Sequence, residues 1–317
     1  MVAGLAYAMP ASQYERGNCF MQENRTKVLF SDRILKNILP YILIAPVVIY
    51  IVCVMVFPFC WALYISFTDK VIGVEGKFAG LKNYIELLMD PIFQKSILHT
   101  FVFTGGSVIA KLILGIAMAV VLNEKIKCRN VFRSILLLPW TIPTVVVVLV
   151  WQWMFSDVGG VLNALLQMAG VSKPVLWLSK PGTAMFSVIL VNVWKGAPFI
   201  AISVLAGLQN ISPEYYEAAS IDGANICQRF IRITLPLLRD VIFLAALMTT
   251  IWTLNNFEVI WLLTKGGPSN ATNVVAVYSY IMAFRNNNLS KAIATSVLFL
   301  PFMMLLINKV TKKSLEE

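Results

Sequence analysis

Three charged side chains fall inside long apolar runs of this chain: Lys111, Lys195 and Glu258. A charge at the centre of a membrane helix costs at least about 2.5 kcal/mol on insertion scales, so each needs a reason to be there. Lys195 and Glu258 either pair with each other or line a wet pathway. Lys111 either snorkels to an interface or meets a partner subunit, and it is assigned no site role. Asn192, Lys195, Gly196 and Phe199 stand at i, i+3, i+4 and i+7, one helix face. Thr249, Thr253 and Asn256 share a second face, and Trp140 and Thr144 a third at i, i+4. Such faces offer hydroxyl-pairing groups beside aromatic walls, the make-up of a pocket for a polar solute. The competing reading is plain helix-to-helix hydrogen bonding. His99 is the one histidine, and intramembrane acids are few. That leaves little acid–base or metal chemistry, and no catalytic or metal site is assigned.

A second constellation lies in the polar stretch 214–236. Ser212-Pro213 starts a helix, with the hydroxyl as cap and proline at the first helical position. Glu214 follows in the first turn, where the helix dipole favours it. Tyr215 occupies the capping-box position, so that motif is absent here. Gly223 can take the left-handed conformation that stops the helix. A second helix is expected from about Asn225 to Ile233, broken by Pro236. Ala218 and Ala219 keep one surface small, and Glu217 can pair with a partner's arginine. A loop that only ties two spans together would not need this length and punctuation, so a docking role is expected.

These elements sit in a chain of 317 residues that is 58% apolar and 13% charged, about half the charge of a soluble domain. Six apolar runs approach the roughly 20 residues a span requires: 41–67, 98–122, 134–155, 184–205, 241–263 and the shorter 293–307. Pro58, Pro143, Pro198 and Pro301 within them imply kinks. The expected fold class is all-α, a polytopic membrane protein with six transmembrane helices. An N-terminus inside the cell places fifteen of the 26 Lys/Arg in 1–37, 123–133, 206–240 and 308–317, as the positive-inside bias requires. The net charge of +10 then reflects this bias and anionic headgroup contact. Scattered over loops, it does not suit nucleic-acid binding.

The expected organisation is a cytoplasmic segment 1–37, a membrane domain 38–310 containing the loop 208–238, and a cytoplasmic tail 311–317. No removed signal peptide is read in 1–37, and an interfacial helix is expected there around Arg25–Lys36. Cys19, Cys53, Cys60, Cys128 and Cys227 form no CxxC pair and read as ordinary small side chains. The outer loops carry three more amphipathic pieces. Leu81, Tyr84, Ile85 and Leu88 lie at helical spacing, VLNALLQMAG suggests a short helix, and Gly266-Gly267-Pro268 ends one helix before another begins. They either cap the bundle or also form a docking face. Asn270-Ala271-Thr272 is taken as an accidental glycosylation match.

Glu217-Ala218-Ala219, three residues, Gly223, nine residues and Ile233-x-Leu235-Pro236 resemble the EAA loop of permease subunits of binding-protein-dependent ABC importers. Ser220-Ile221-Asp222-Gly223-Ala224 resembles the sugar-importer version. FAGLKNY at 78–84, FRSILLLPWTIP at 132–143, VNVWKGAPF at 191–199 and NNFEVIWLLTKGGP at 255–268 are similar to the carbohydrate branch related to the larger maltose permease subunit, without its long outer insertion. The resemblance covers nearly all of the chain after about residue 38. It implies a type I ABC importer transmembrane domain. It implies that Glu214, Glu217, Ala218, Ala219, Asp222, Gly223, Ile233 and Pro236 couple this chain to an ATPase. It also implies that Trp140, Thr144, Asn192, Lys195, Gly196, Phe199, Thr249, Thr253 and Asn256 line a mid-membrane sugar site. Asn192, Gly196 and Asn256 keep the family's residue type there; Trp140, Lys195, Phe199 and Thr253 depart from it.

The partners so implied are a second permease subunit, an ATP-binding subunit dimer, an extracytoplasmic solute-binding protein, a carbohydrate and the lipid bilayer of a bacterial inner membrane. The chain itself carries no GxxxxGK[ST] phosphate loop, and Gly76-Lys77-Phe78 lacks both spacing and hydroxyl. It is expected to hold no cofactor and not to be an enzyme; ATP and Mg would bind the partner ATPase. Lys195 also fits an anionic carbohydrate such as a uronate oligomer or glycerol phosphate. A stand-alone secondary transporter is the remaining alternative, one that would more often show discontinuous helices at matching places in two halves.

Overall fold

The computed structural model describes residues 39–124 and 127–315. The segment 1–37 and its interfacial helix lie outside them. The chain divides into two compact units, 1–62 and 63–317. Most of α1, Leu39–Ser66, belongs to the first. Within it a wide π-helical turn, Val52–Val56, ends two residues before Pro58. Proline lacks an N–H and its ring crowds the carbonyl four residues back. The widened turn accommodates that ring, and the helix continues through Phe57–Ser66.

The second unit contains α2 (Lys82–Met89), α3 (Pro91–Asn123), α4 (Arg129–Thr141), α5 (Thr144–Met154), α6 (Val161–Met168), α7 (Pro181–Gln209), α8 (Pro213–Ile221), α9 (226–237), α10 (Arg239–Leu254), α11 (Glu258–Thr264), α12 (Val275–Arg285) and α13 (Leu289–Leu315). Among the described residues there is no strand, only an isolated bridge between Thr68 and Phe78. The class is all-α, as expected.

The spans differ from the six kinked transmembrane helices expected. By length and apolarity α1, α3 and α7 can each cross a membrane. The run 134–155 is instead two helices, α4 and α5, bent by 92°, and the run 241–263 is α10 and α11, bent by 45°. Each bent pair taken as one span gives five. The sixth run lies in α13, whose apolar part, Leu289–Leu305, falls short of a span. The larger break has a local cause. Ile142 precedes Pro143 and is extended, with ψ 134°, because proline disfavours the helical region for the residue before it. At the smaller break Asn256 Oδ1 accepts from the Val259 N–H at 3.3 Å, satisfying a donor freed at the start of α11.

The packing axis is the pair α3 and α7. A Cβ at Gly115 would come within 2.6 Å of Ile200 Cβ, so the two backbones approach where no side chain intervenes. Near the start of α7, Phe103, Val188 and Val191 pack with Val148 and Trp151 of α5 and Ile260 of α11. Near its end, Ala119, Leu122, Ile200 and Val204 pack with Leu238 and Ala245. A third cluster joins Leu87, Phe93, Tyr278 and Ala294, where the Tyr278 hydroxyl donates to Asp90 Oδ2 at 2.6 Å.

In α2 the buried side is Asn83 and Leu87, while Leu81, Ile85 and Leu88 of the expected stripe are exposed. The Asn83 amide turns the helix, donating to the Ser66 and Thr68 carbonyls at 2.9 and 2.7 Å. The pieces expected at 161–168 and after Pro268 are helices α6 and α12.

Because Gly115 has no room for a side chain, Gly115→Leu is expected to destabilise the protein by about 1–3 kcal/mol through overpacking. Thermal unfolding of the purified protein in detergent measures this, and an unchanged midpoint would contradict the close approach.

Candidate functional site

Along α7, Val188 and Val191 belong to the first apolar layer and Ile200 and Val204 to the second. Between them Asn192, Lys195, Gly196 and Phe199 open onto a cavity of about 120 Å³. Thr249, Thr253 and Asn256 of the α10 region and Trp140 of α4 line the same cavity. Eight of the nine residues expected at a solute site thus converge. Thr144 is not among the lining. The i, i+4 argument that joined it to Trp140 assumed a continuous helix, and the 92° bend between α4 and α5 separates them.

Two lining residues were not assigned from sequence: Lys111 and Trp252. Trp252 carried a usable signal, since it lies three residues after Thr249 and four before Asn256. Its ring meets Phe199 edge-on at 4.8 Å between centroids, and the Trp140 ring centroid stands 6.4 Å from that of Phe199. Lys111 neither snorkels nor faces outward. It is 4% exposed, and its stem crosses Gly196, where a Cβ would come 2.6 Å from Lys111 Cε.

Hydrogen bonds tie the helices together around the cavity, so helix bracing and cavity lining fall on the same residues. Asn256 Nδ2 donates to Asn192 Oδ1 at 3.3 Å. Lys111 Nζ donates to Thr253 Oγ1 at 2.9 Å, and that hydroxyl donates to the Thr249 carbonyl at 2.6 Å. Lys195 forms no ion pair with Glu258. Its ammonium goes instead to the Ile142 carbonyl at 2.8 Å, in the break between α4 and α5. Among the described residues no cluster could hold a metal ion.

The loop after α7 is built as two helices with an elbow. Ser212 Oγ accepts from the Glu214 N–H at 3.4 Å, and Gly223 has φ +78°. A capping box opens α9: Asn225 Oδ1 accepts from the Gln228 N–H and Gln228 Oε1 from the Asn225 N–H. Pro236 does not break this helix as expected. A π-helical turn, Phe230–Thr234, precedes it by the same spacing as in α1, and helix continues to Leu237. Tyr216 and Thr234 hydroxyls meet at 3.0 Å, and Arg229 Nη1 donates to Ser220 Oγ at 2.9 Å, bracing the elbow. Glu214, Glu217, Ala218, Asp222, Gly223 and Pro236 are exposed, and Ala219 and Ile233 are half-buried. The elbow also presents Ile221 and Ile226, 87% and 78% exposed. These two apolar side chains were missed because isolated isoleucines carry no spacing signal. Leu238 anchors the far end of the loop: it is buried, and a Cβ on Gly207 would come 2.7 Å from its Cδ2.

Residues 111–312 match the family model described as "Binding-protein-dependent transport system inner membrane component". The chain belongs to this family. Its members are transport components rather than enzymes, so this permease is a non-catalytic subunit of such a system. The permease is 38% identical over 270 residues to the trehalose/maltose transport system permease protein MalF of Thermococcus litoralis, covering 84% of this chain and 90% of that protein. It is 34% identical over 244 residues to the sulfoquinovosyl glycerol transport system permease protein SmoG of Agrobacterium fabrum, covering 76% and 79%. Among solved structures it resembles a bacterial ABC transporter involved in import of the acidic polysaccharide alginate, with TM-score 0.77, 25% identity, and coverage of 90% and 99%. The likeness supports the type I importer fold. Discontinuous helices at matching places in two halves were expected more often of a stand-alone transporter; α4/α5 and α10/α11 show broken helices in a permease of this family as well.

Removing the acceptor of the buried ammonium is expected to be costly. Thr253→Val should lower stability by about 1.5–3 kcal/mol, the range for hydrogen bonds to charged groups. Chemical or thermal unfolding tests this, and wild-type stability would show that Lys111 does not depend on Thr253.

Proposed function

We propose that this permease moves a carbohydrate across a bacterial inner membrane, driven by a separate ATPase. The observation that carries the reading is the cavity between two apolar layers, where the polar faces of α7 and α10 meet aromatic walls. Polar donors and acceptors against indole and phenyl rings suit a hydroxylated ring. The substrates named for the relatives, trehalose/maltose, sulfoquinovosyl glycerol and alginate, are saccharides or saccharide conjugates, and this supports the same class here.

The cavity is smaller than the roughly 300–1,000 Å³ of typical ligand pockets, as suits a bundle that works beside a second permease subunit. An external solute-binding protein delivers the substrate; a solved relative is described in complex with an alginate pentasaccharide-bound periplasmic protein. The elbow of α8 and α9 docks on one subunit of an ATP-binding dimer, which holds ATP and Mg. Its exposed Glu217, Ile221 and Ile226 offer the partner one charge and two apolar anchors. Closure of the ATPase pushes the elbow, and because Leu238 and Gly207 lock the loop to the inner end of α7, the push reaches the helix that lines the cavity.

Reconstitution in proteoliposomes tests this. Saccharide uptake is expected to require the companion permease, the ATPase and the binding protein together; uptake by this chain alone would overturn the proposal. Gly223→Pro should abolish uptake without preventing membrane insertion, because proline fixes φ near −65° where the elbow needs +78°. Normal uptake by this variant would remove the coupling role. Asn256→Ala should raise the substrate concentration for half-maximal uptake about five- to tenfold, by about 1–1.5 kcal/mol of lost hydrogen bonding. An unchanged value would assign Asn256 to bracing alone.

A further inference from the structure

The cavity's hydrogen-bonding groups are unevenly committed. Each of three acceptors takes one bond within the protein, Asn192 Oδ1 from Asn256, Asn256 Oδ1 from the Val259 N–H, and Thr253 Oγ1 from Lys111, and keeps a second lone pair. More of the donor capacity is unspent, and part of it is charged. An ammonium carries three N–H groups, and Lys111 gives one of them to Thr253. Asn192 is 4% exposed, and its Nδ2 is buried with no partner. The indoles of Trp140 and Trp252 can only donate, and Phe199 offers neither. Thr249 keeps the one hydroxyl able to do both. Two ammonium groups line the cavity, and no carboxylate does.

We propose that this cavity receives the acidic group of an anionic saccharide, with the Lys111 ammonium as its counter-charge and Asn192 Nδ2 as a second donor. The proposal rests on the carbohydrate reading and narrows its substrate class. A neutral sugar hydroxyl can accept here, but it leaves the charge of the ammonium unanswered. A carboxylate, sulfonate or phosphate ester only accepts and forms charge-assisted bonds with an ammonium. Thr253 gives the buried Lys111 a hydrogen bond but no counter-charge, and a buried cation without one is costly. An anion beside it relieves that cost. Gly196 makes the arrangement possible, since any side chain there would displace the lysine stem. At about 120 Å³ the cavity takes an acidic substituent and part of the ring that bears it, not a whole oligosaccharide.

The test uses the complete importer with its binding protein in proteoliposomes. The acidic probes are a trigalacturonate, a sulfonated hexose glycoside and a hexose phosphate. The neutral probes are the trigalacturonate methyl ester, maltotriose and trehalose. At least one acidic probe is expected to be imported, with uptake at least tenfold above its neutral counterpart. Lys111→Met is expected to lose that preference at least tenfold, and Lys111→Arg to keep most of it. Import of neutral probes with acidic ones rejected overturns the charge assignment and leaves the carbohydrate reading intact. Import of neither class overturns both. If Lys111→Met imports the acidic probe as the parent does, Lys111 is not the counter-charge. Should Lys111→Met fail to assemble, the acid-against-ester comparison on the parent and the Lys111→Arg result decide the matter.

Discussion

The structure depends on how closely α3 approaches α7. At Gly115 the backbone of one helix meets Ile200 of the other with no space for a methyl group. Further along, Gly196 leaves room for the Lys111 stem to cross α7. In a bilayer no hydrophobic force drives helices together, so close packing of small residues does that work. The two glycines sit on opposite helices, and together they fix the separation at which a buried lysine can reach Thr253.

That pair of helices also sets up the two levels of the molecule. The first apolar layer draws in α5 and α11, and the second draws in the end of the loop 208–238 and α10. Polar side chains occupy the gap between layers, where each broken span contributes. The α4/α5 break supplies the Ile142 carbonyl to Lys195, and the α10/α11 break supplies Asn256. Irregular backbone within a membrane domain is tolerated where it lines a cavity, and both breaks lie beside this one. The elbow of α8 and α9 is braced internally by Tyr216–Thr234 and Ser220–Arg229. It is therefore stiff, and it is joined at Gly207 and Leu238 to the same packing axis.

Much of this was legible in the sequence because helical spacing survives without coordinates. The faces of α7 and α10 followed from residues three and four apart, and the elbow from Ser212, Pro213 and Gly223. The failures were at prolines. Pro143 was expected to kink a span, yet through Ile142 it bends the span by 92° and carries Thr144 away from the site. Pro236 was expected to end a helix that a π-helical turn lets continue. A proline's effect depends on whether the preceding turn can widen, and residue types do not reveal that. The place of Lys111 at the cavity was not legible for a different reason. Its position in the run left snorkelling or a partner subunit open, because its hydrogen-bond acceptor, Thr253, stands 142 residues away on another helix.

The account's central claim is that α3 and α7 move as one body and carry loop and cavity together. Spin labels at Val121 of α3 and Phe186 of α7, both exposed, allow a pulsed dipolar distance measurement on the assembled importer with and without ATP. The account predicts a single distance distribution that stays the same in both states. A shift of several ångströms or a second population on ATP binding would mean that the helices slide past each other, and the coupling described here would be contradicted.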